Sequence, residues 1–297
     1  MAILAFLNGI FLRLVGLALS AAMFFAIPAA PSGTPIQARD PANVLLQASV
    51  IADVHMQTFD MQNFTQLAIT LRDIARAEQK QDALVMVGDN TMNGQTTEYI
   101  MLYGIMQHYN RTKNTFMVMG NHDLNMGEWS AETGIGRHNF FLQSYTGIAN
   151  DKAYYSQEIN GYTFIAIAGE GPETERDISD EQLVWLDATM AAAGDGLPIF
   201  IFVHQSINWF PRAAELQGIF EAYPNVFVFN GHWHTPLGRS EINGVNYINV
   251  PSIHPHNASQ PQGEGLQLEV YEDRVELRGR DYMNGTWLDT YFTVALV

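Results

Sequence analysis

The chain has 297 residues, of which 47% are hydrophobic, and its fifteen Lys and Arg against thirty-one Asp and Glu give a net charge of −16 at pH 7. This composition predicts a substantial buried core, and the acidic charge argues against nucleic acid or an anionic membrane surface as an extended partner. The chain has no cysteine, which excludes thiolate ligands, thiol nucleophiles and disulfides. A phosphate-bearing substrate would need an attraction other than lysine and arginine, and bound metal ions would supply it.

The N-terminal thirty residues carry one charged side chain, Arg13, followed by the apolar stretch Leu14–Ala30 and several small residues. This pattern predicts a secretory signal peptide that is cleaved between Ala30 and Ala38. The alternative is an uncleaved anchor, although the stretch is short for a membrane span and contains Pro28. We therefore predict a signal peptide or anchor over residues 1–38 and a single domain over residues 39–297. In both cases that domain would be secreted or lie in the cell envelope, outside the cytoplasm.

The first half of the remaining chain alternates between predicted strands and helices. Apolar, partly β-branched runs predict buried strands, and apolar residues at helical spacing predict helices. In chain order these are the strand Val44–Ile51, a helix over Phe64–Ala75 with Asn63 as a possible N-cap, the strand Ala83–Val87, the helix Thr97–Tyr109, the strand Thr115–Met119 and a helix over Arg137–Tyr145.

The second half begins with a predicted hairpin around Asn160-Gly161, a turn-forming pair, and then becomes mainly β. The predicted elements are the strands Tyr154–Ile159 and Tyr162–Ala168, a helix after Ser179, the strands Pro198–Val203 and Val226–Phe229, a hairpin at Asn243-Gly244, the paired strands Leu266–Tyr271 and Arg274–Arg280, and a last strand Thr290–Val297. The predicted fold class is α/β, with two mixed β-sheets packed as a sandwich and flanking helices.

Five short polar clusters each follow a predicted strand. They are Asp53-Val54-His55, Gly88-Asp89-Asn90, Gly120-Asn121-His122-Asp123, His204 and Gly231-His232-Trp233-His234. Carboxylate oxygen and imidazole nitrogen bind Zn²⁺, Mn²⁺ and Fe²⁺, and the strand ends of an α/β protein are where a site assembles. The clusters therefore predict a hydrolase with two divalent metal ions, whose identity the sequence leaves open.

A two-metal centre needs one ligand that contacts both ions, and Asp89 is the best candidate for that bridging carboxylate. Asp53 and His55 are two residues apart, so an extended chain would project both to one side, and His232 and His234 repeat this spacing. The net charge would be about +1 when the charges of two divalent ions, two aspartates and a bridging hydroxide are added. Such a site would attract a phosphate, and a metal-bound water with a pKa near about 7 would be the nucleophile.

The five clusters, in the order D-x-H, G-D, G-N-H-D/E, H and G-H-x-H, resemble those of the calcineurin-like metallophosphoesterases over about residues 44–250. Class III cyclic-nucleotide phosphodiesterases share this pattern. The resemblance implies a four-layer fold in which the site residues have separate roles. Asp53, His55, Asp89 and His234 would hold one metal, Asp89, Asn121, His204 and His232 would hold the other, His122 would stabilise the scissile phosphate or protonate the leaving oxygen, and Asp123 would orient His122.

Two positions depart from this family's patterns. Met92 stands where purple acid phosphatases have a tyrosine, which argues against a ferric-tyrosinate site, and Asn93 stands where the family often has aspartate. Outside the clusters, His254 and His256 either line the substrate pocket or, as we favour, belong to an exposed loop. Trp209 could stack on a base or sugar, or pack locally.

The predicted function is hydrolysis of phosphomonoesters or small phosphodiesters. The predicted partner is a small phosphate ester, with no nucleic acid, and with a membrane only through the N-terminal segment if it is uncleaved. Two alternatives stay open: a nuclease of the same superfamily, which the acidic charge disfavours, and a non-catalytic envelope or binding protein on this scaffold.

Overall fold

A computed structural model describes residues 29–124, 131–171, 177–194, 196–256 and 262–297. Within these ranges the chain forms twelve β-strands and five α-helices. In chain order they are β1 (Leu46–Ile51), α1 (Met61–Ala75), β2 (Ala83–Val87), α2 (Thr96–Tyr109), β3 (Asn114–Val118), α3 (Ala131–Thr146), β4 (Tyr155–Ile159), β5 (Tyr162–Ala166), α4 (Asp180–Ala191), β6 (Ile199–Phe202), α5 (Ala213–Glu221), β7 (Val226–Asn230), β8 (Gly238–Ile242), β9 (Val245–Asn249), β10 (Glu264–Val270), β11 (Arg274–Asp281) and β12 (Thr286–Ala295).

The strands form two mixed sheets of six, which confirms the predicted fold class. The first has the order β12-β11-β10-β1-β2-β3, with β1, β2 and β3 parallel and the remaining pairs antiparallel. The second has the order β4-β5-β6-β7-β9-β8, with β5, β6, β7 and β9 parallel. In both sheets the strands that precede the polar clusters are parallel to one another, so their carboxyl ends lie at one edge.

The two sheets face each other across an aromatic core. The ring of Phe116 on β3 lies 5.8 Å from that of Phe164 on β5 and 5.5 Å from that of Phe202 on β6. All three side chains are fully buried, and each aromatic side chain removes a large apolar area from water. This packing fixes the separation of the two strand-end edges, which positions the polar clusters of one sheet against those of the other.

Two helices begin earlier than the sequence predicts. The N-cap of α1 is Asp60, whose carboxylate accepts hydrogen bonds from the backbone N–H groups of Gln62 and Asn63, so Asn63 lies inside the helix. The helix α3 starts at Ala131 rather than at Arg137, and Gly134, which weakens the helical pattern of this turn, packs against the backbone of Leu124.

The folded part of the chain starts before the predicted boundary at residue 39. Ile36 is fully buried in the core, and the carbonyl oxygens of Gly33 and Thr34 accept hydrogen bonds from Arg76 and from the buried Arg280. A domain that begins at residue 39 would lack these contacts. The predicted signal peptide or anchor lies mostly outside the described residues, and among those described no helix has the length and apolar character needed to cross a membrane.

We expect a chain that begins at Arg39 to be less stable than one that begins at Pro31. Its free energy of unfolding should fall by roughly 3–6 kcal/mol, because the Ile36 side chain leaves the core and Arg280 loses a buried acceptor. Urea denaturation of the two chains measures the difference. Equal denaturation midpoints would show that the segment before Arg39 contributes nothing to the fold.

Candidate metal centre

The polar clusters that follow β1, β2, β3, β6 and β7 meet at one end of the sandwich. Each of the three sets of potential metal ligands that the structure brings together has its ligand atoms within 4.8 Å of one another. The sets are Asp53 with His55 and His234, Asp89 with His204 and His232, and His55 with Asp89 and His122. Asn121 is buried between Gly120 and His122 on the same loop. The structure therefore assembles the predicted clusters, while the metal-binding role of each residue stays a prediction.

The first set has the spacing of ligands around one cation. Asp53 Oδ1 lies 3.2 Å from His234 Nε2 and 3.8 Å from His55 Nε2, and the two imidazole nitrogens are 3.1 Å apart. Metal–ligand bonds of about 2.0–2.2 Å place two ligand atoms of a tetrahedral site roughly 3.4 Å apart. A single divalent ion therefore fits between these three side chains.

Asp89 connects the sets. Its Oδ2 lies 2.9 Å from His204 Nε2, 3.7 Å from His55 Nε2 and 3.9 Å from His122 Nε2. Burial alone would raise the pKa of this carboxyl group, but the neighbouring His204 and His55 hold it well below its usual range. Asp89 is therefore an ionised carboxylate between two groups of imidazoles, which suits a bridging ligand.

Two buried histidines of the centre differ in protonation. Burial lowers the pKa of His55 to about 3, despite the nearby Asp89 and Asp53, so this ring is neutral at pH 7 as a metal ligand must be. Burial also acts against protonation of His204, but Asp89 raises the pKa of His204 to about 9. Its Nδ1 donates to the carbonyl oxygen of Val87 at 2.8 Å, so only Nε2 can exchange a proton for a metal ion. A donor set of carboxylate, amide and imidazole without thiolate fits Zn²⁺, Mn²⁺ or Fe²⁺.

Five residues of the site have left-handed backbone conformations. Asp53, His55, Asp89, His232 and His234 have φ values of 55°, 48°, 47°, 70° and 51°. The side chains of Asp53 and His55 do converge, but the predicted reason, an extended backbone, is wrong. Such conformations cost of order 1–3 kcal/mol each and persist where surrounding contacts hold them. Here the N–H groups of Asp53 and His55 donate to the carbonyl oxygens of Gly88 and Asp89 on the neighbouring strand end.

Two motif glycines allow the ligands to approach the backbone. Gly88 has φ +78°, and a Cβ there would lie 2.4 Å from the Cβ of His204. A Cβ on Gly120 would lie 2.2 Å from both the backbone nitrogen and the Oδ1 of Asp89. The glycines that precede Asp89 and Asn121 are therefore needed because any side chain at these positions would displace His204 or Asp89.

His122 lies at the mouth of the centre. Its side chain is 28% exposed, against 2% for those of His204 and Asp89. Its backbone N–H donates to Asp89 Oδ1 at 2.9 Å, and its Nδ1 donates to the carbonyl oxygen of Met92 at 2.7 Å. These two hydrogen bonds leave Nε2 as the ring nitrogen that faces the centre and solvent.

Asp123 does not orient His122, contrary to what the resemblance implies. Its fully buried carboxylate accepts five hydrogen bonds, from the backbone and side chain of Asn90, from the backbone and side chain of Thr91, and from the backbone of Gly120. The group that orients the His122 ring is the Met92 carbonyl. Asp123 instead joins the loop after β2 to the loop after β3, which positions Asp89 relative to Asn121.

Other residues differ from the sequence prediction or complete it. Asn93 donates from its backbone and from Nδ2 to the Glu98 carboxylate, both at 2.8 Å, so an aspartate here would face a second negative charge.

His254 is not in an exposed loop: it is 8% exposed, its ring lies 4.8 Å from that of His55, and its Nδ1 contacts Asn63 Nδ2 at 3.1 Å. Its only sequence signal was its place after a strand.

Comparisons with known proteins bear on the family and the fold. Residues 49–236 match the model of the calcineurin-like phosphoesterase family. A dimetal phosphatase from Danio rerio has a similar structure, with a TM-score of 0.59 and 14% identity over 86% of this chain and 100% of that chain. A predicted phosphoesterase from Streptococcus pneumoniae TIGR4 (TM-score 0.43, 12% identity, 84% and 97%) and zinc-complexed Vps29 from Entamoeba histolytica (TM-score 0.37, 12% identity, 84% and 99%) are more distant. No curated protein matches this chain in sequence.

We expect Gly120→Ala to impair metal binding, because the added methyl group collides with Asp89 backbone and carboxylate atoms. Metal content after dialysis, measured by elemental analysis, should fall to less than about half that of the wild type. Gly136→Ala is the matched control, since no atom lies within 4 Å of its added Cβ and alanine stabilises a helix by about 0.5–1 kcal/mol. Full metal content in Gly120→Ala would mean that this close approach does not constrain the site.

Proposed function

Because this chain belongs to the calcineurin-like phosphoesterase family, we propose that it hydrolyses phosphomonoesters or small phosphodiesters at a centre of two divalent metal ions. The observation that carries the proposal is the position of Asp89, whose Oδ2 is 3.7 Å from His55 Nε2 and 2.9 Å from His204 Nε2. One carboxylate therefore reaches both groups of imidazoles. This is the arrangement that holds two cations about 3.5–4 Å apart.

The proposed ligand sets use the side chains that converge on Asp89. One set is Asp53, His55, Asp89 and His234, and the other is Asp89, Asn121, His204 and His232. Divalent ions held by them would supply Lewis acidity toward the phosphate and a water of lowered pKa. The buried carboxylates of Asp53 and Asp89 balance only part of that charge, so a phosphate group would be attracted to one locally positive place on a chain of net charge −16.

His122 is the residue that we propose acts on the ester itself. Its Nδ1 is fixed by the Met92 carbonyl, so Nε2 is directed toward the space in front of Asp89. From there it can donate a hydrogen bond to a phosphate oxygen, or a proton to the leaving oxygen. Its partial exposure supports contact with an entering substrate.

The proposed substrate is small, and the proposed location is outside the cytoplasm. The net charge of −16 supports a small ester over nucleic acid, since a polyanion would be repelled by the protein as a whole. The apolar N-terminal stretch supports secretion or residence in the cell envelope. A nuclease and a non-catalytic binding protein are the competing functions, and the following experiment separates them.

We expect turnover of chromogenic phosphate esters in the presence of Mn²⁺, and a loss of at least about 10²-fold in kcat for His122→Ala with metal still bound, which is the usual size of a general acid contribution. His108→Ala, on α2 and outside the centre, is the control and should keep full activity. A steady-state assay with parallel elemental analysis measures both quantities.

Each competing outcome is distinct. Unchanged turnover in His122→Ala would refute its role. Absence of turnover with every ester and every divalent ion would favour the non-catalytic alternative. Cleavage of single- or double-stranded DNA in preference to small esters would favour the nuclease.

We expect the metal stoichiometry to depend on which ligand is removed. The wild type should hold about two ions, His234→Ala about one and Asp89→Ala fewer than one, because His234 belongs to one set and Asp89 to both. His256→Ala is the control, since His256 is exposed and pairs with Asp60 at 2.6 Å instead of facing Asp89. Elemental analysis after dialysis measures the ratio. Two ions in His234→Ala would contradict the assignment.

A further inference from the structure

A cavity of about 390 Å³ lies beside the metal centre, next to the second sheet. Its walls come from the segments that follow His204, from the residues that flank His232 and His234, and from β8 and β9. Among the lining residues, Asn230 directly precedes the Gly231-His232 pair, Trp233 lies between the two histidines, and Thr235 follows His234. The volume is near the lower end of the range of about 300–1,000 Å³ found for small-molecule sites.

The lining of this side cavity mixes polar and apolar groups and carries little net charge. Among the residues that the structure describes, no carboxylate lines it, although the chain has thirty-one acidic residues. The one cationic residue in this described lining is Arg239, whose guanidinium donates to Asn246 Oδ1 at 2.9 Å and to the Glu241 carboxylate at 2.8 Å. The Glu241 carboxylate balances that charge, so the cavity offers no net charge to a ligand. A neutral group fits it better than an anion or a cation.

Two amide side chains of the lining, Asn208 and Gln217, are hydrogen-bonded to each other, and each keeps a polar group that a ligand could contact. Gln217 Nε2 donates to Asn208 Oδ1 at 3.0 Å, which leaves the amide NH₂ of Asn208 as a donor beside the carbonyl oxygen of Gln217 as an acceptor. This donor and acceptor would pair with a ligand that carries an acceptor next to a donor. The edge of a nucleobase does so, and so do adjacent hydroxyl groups of a sugar.

A wall of aromatic rings connects the side cavity to the centre. The ring of Trp209 lies 4.9 Å from that of His232 and 4.6 Å from that of Trp233. Trp233 lines the cavity and is 45% exposed, so it offers a flat apolar surface to a ligand. The Trp233 ring lies 5.9 Å from that of His232, so a group that packs on Trp233 would lie next to a side chain of the centre.

We propose that the side cavity binds the organic part of the phosphoester, and that this part is an uncharged ring that bears hydrogen-bond donors and acceptors. Asn208 and Gln217 would recognise its polar edge, and Trp233 would pack against its face. The proposal rests on the proposed function for the identity of the reaction, but its binding test does not require turnover. Nucleosides and sugars share the required chemistry, and the two are separate arms of the test.

The test is the binding of adenosine and of methyl glucoside to the purified full-length protein, measured by saturation-transfer NMR. We expect at least one of them to bind, and the double variant Asn208→Ala/Gln217→Ala to weaken that binding about 10-fold, since it removes two hydrogen bonds to the ligand. Gln143→Ala, an exposed amide on α3, is the matched control and should bind like the wild type. The same double variant should raise KM for a nucleoside or sugar phosphate, whereas Gln143→Ala should leave KM and kcat for that ester unchanged.

Adenosine binding would identify a heterocycle as the ligand group, and methyl glucoside binding would identify a sugar; both support the proposal when the double variant weakens them. Binding of neither compound, or equal binding by wild type and double variant, would overturn it. A wild type that binds one of them but hydrolyses no ester would refute the proposed function while supporting the cavity as a binding site. A wild type that hydrolyses esters but binds neither compound would support the proposed function and refute the cavity as a binding site.

Discussion

The arrangement of the site depends on one buried carboxylate, that of Asp89, at the end of β2. Its Oδ2 faces the imidazoles of His204 and His55, and its Oδ1 accepts a hydrogen bond from the backbone N–H of His122. His204 follows a strand of the second sheet, so the carboxylate joins the two halves of the sandwich. Because burial disfavours the charge, these surrounding donors and imidazoles are what hold the carboxyl group ionised. The aromatic core between the sheets keeps them at this distance.

The chain accommodates that carboxylate through local backbone strain and close contacts. Five residues of the centre have positive φ, and the glycines before Asp89 and Asn121 leave room where any Cβ would collide. The Asp123 carboxylate accepts five hydrogen bonds from the two loops that carry Asp89 and Asn121, and this network holds the strained backbone of Asp89 in place. The inner part of the centre is therefore rigid. His122 and the side cavity lie at the exposed surface, where they would contact the part of a substrate that differs from one ester to another.

Several predictions failed for one shared reason, which is that side-chain partners distant in sequence leave no local pattern. Asp123 follows His122 directly, yet it accepts hydrogen bonds from Asn90 and Thr91, which lie 33 and 32 residues earlier. His254 reads as a loop residue but packs against His55. The burial of Ile36 likewise has no sequence signal, since one isoleucine in a polar, proline-containing segment shows no periodicity.

The sequence by itself determined the α/β class, the strands, the clusters that follow them and the family that their order indicates, because strand burial and motif spacing are local properties. It also predicted which side chains would converge, and the structure brings these together. Only the tertiary structure decided how they do so: the left-handed backbone at Asp53 and Asp89, the carbonyl groups that fix His122 and His204, and the neutral cavity beside Trp233. These features arise from contacts between the two sheets and their loops, which are far apart along the chain and meet only after folding.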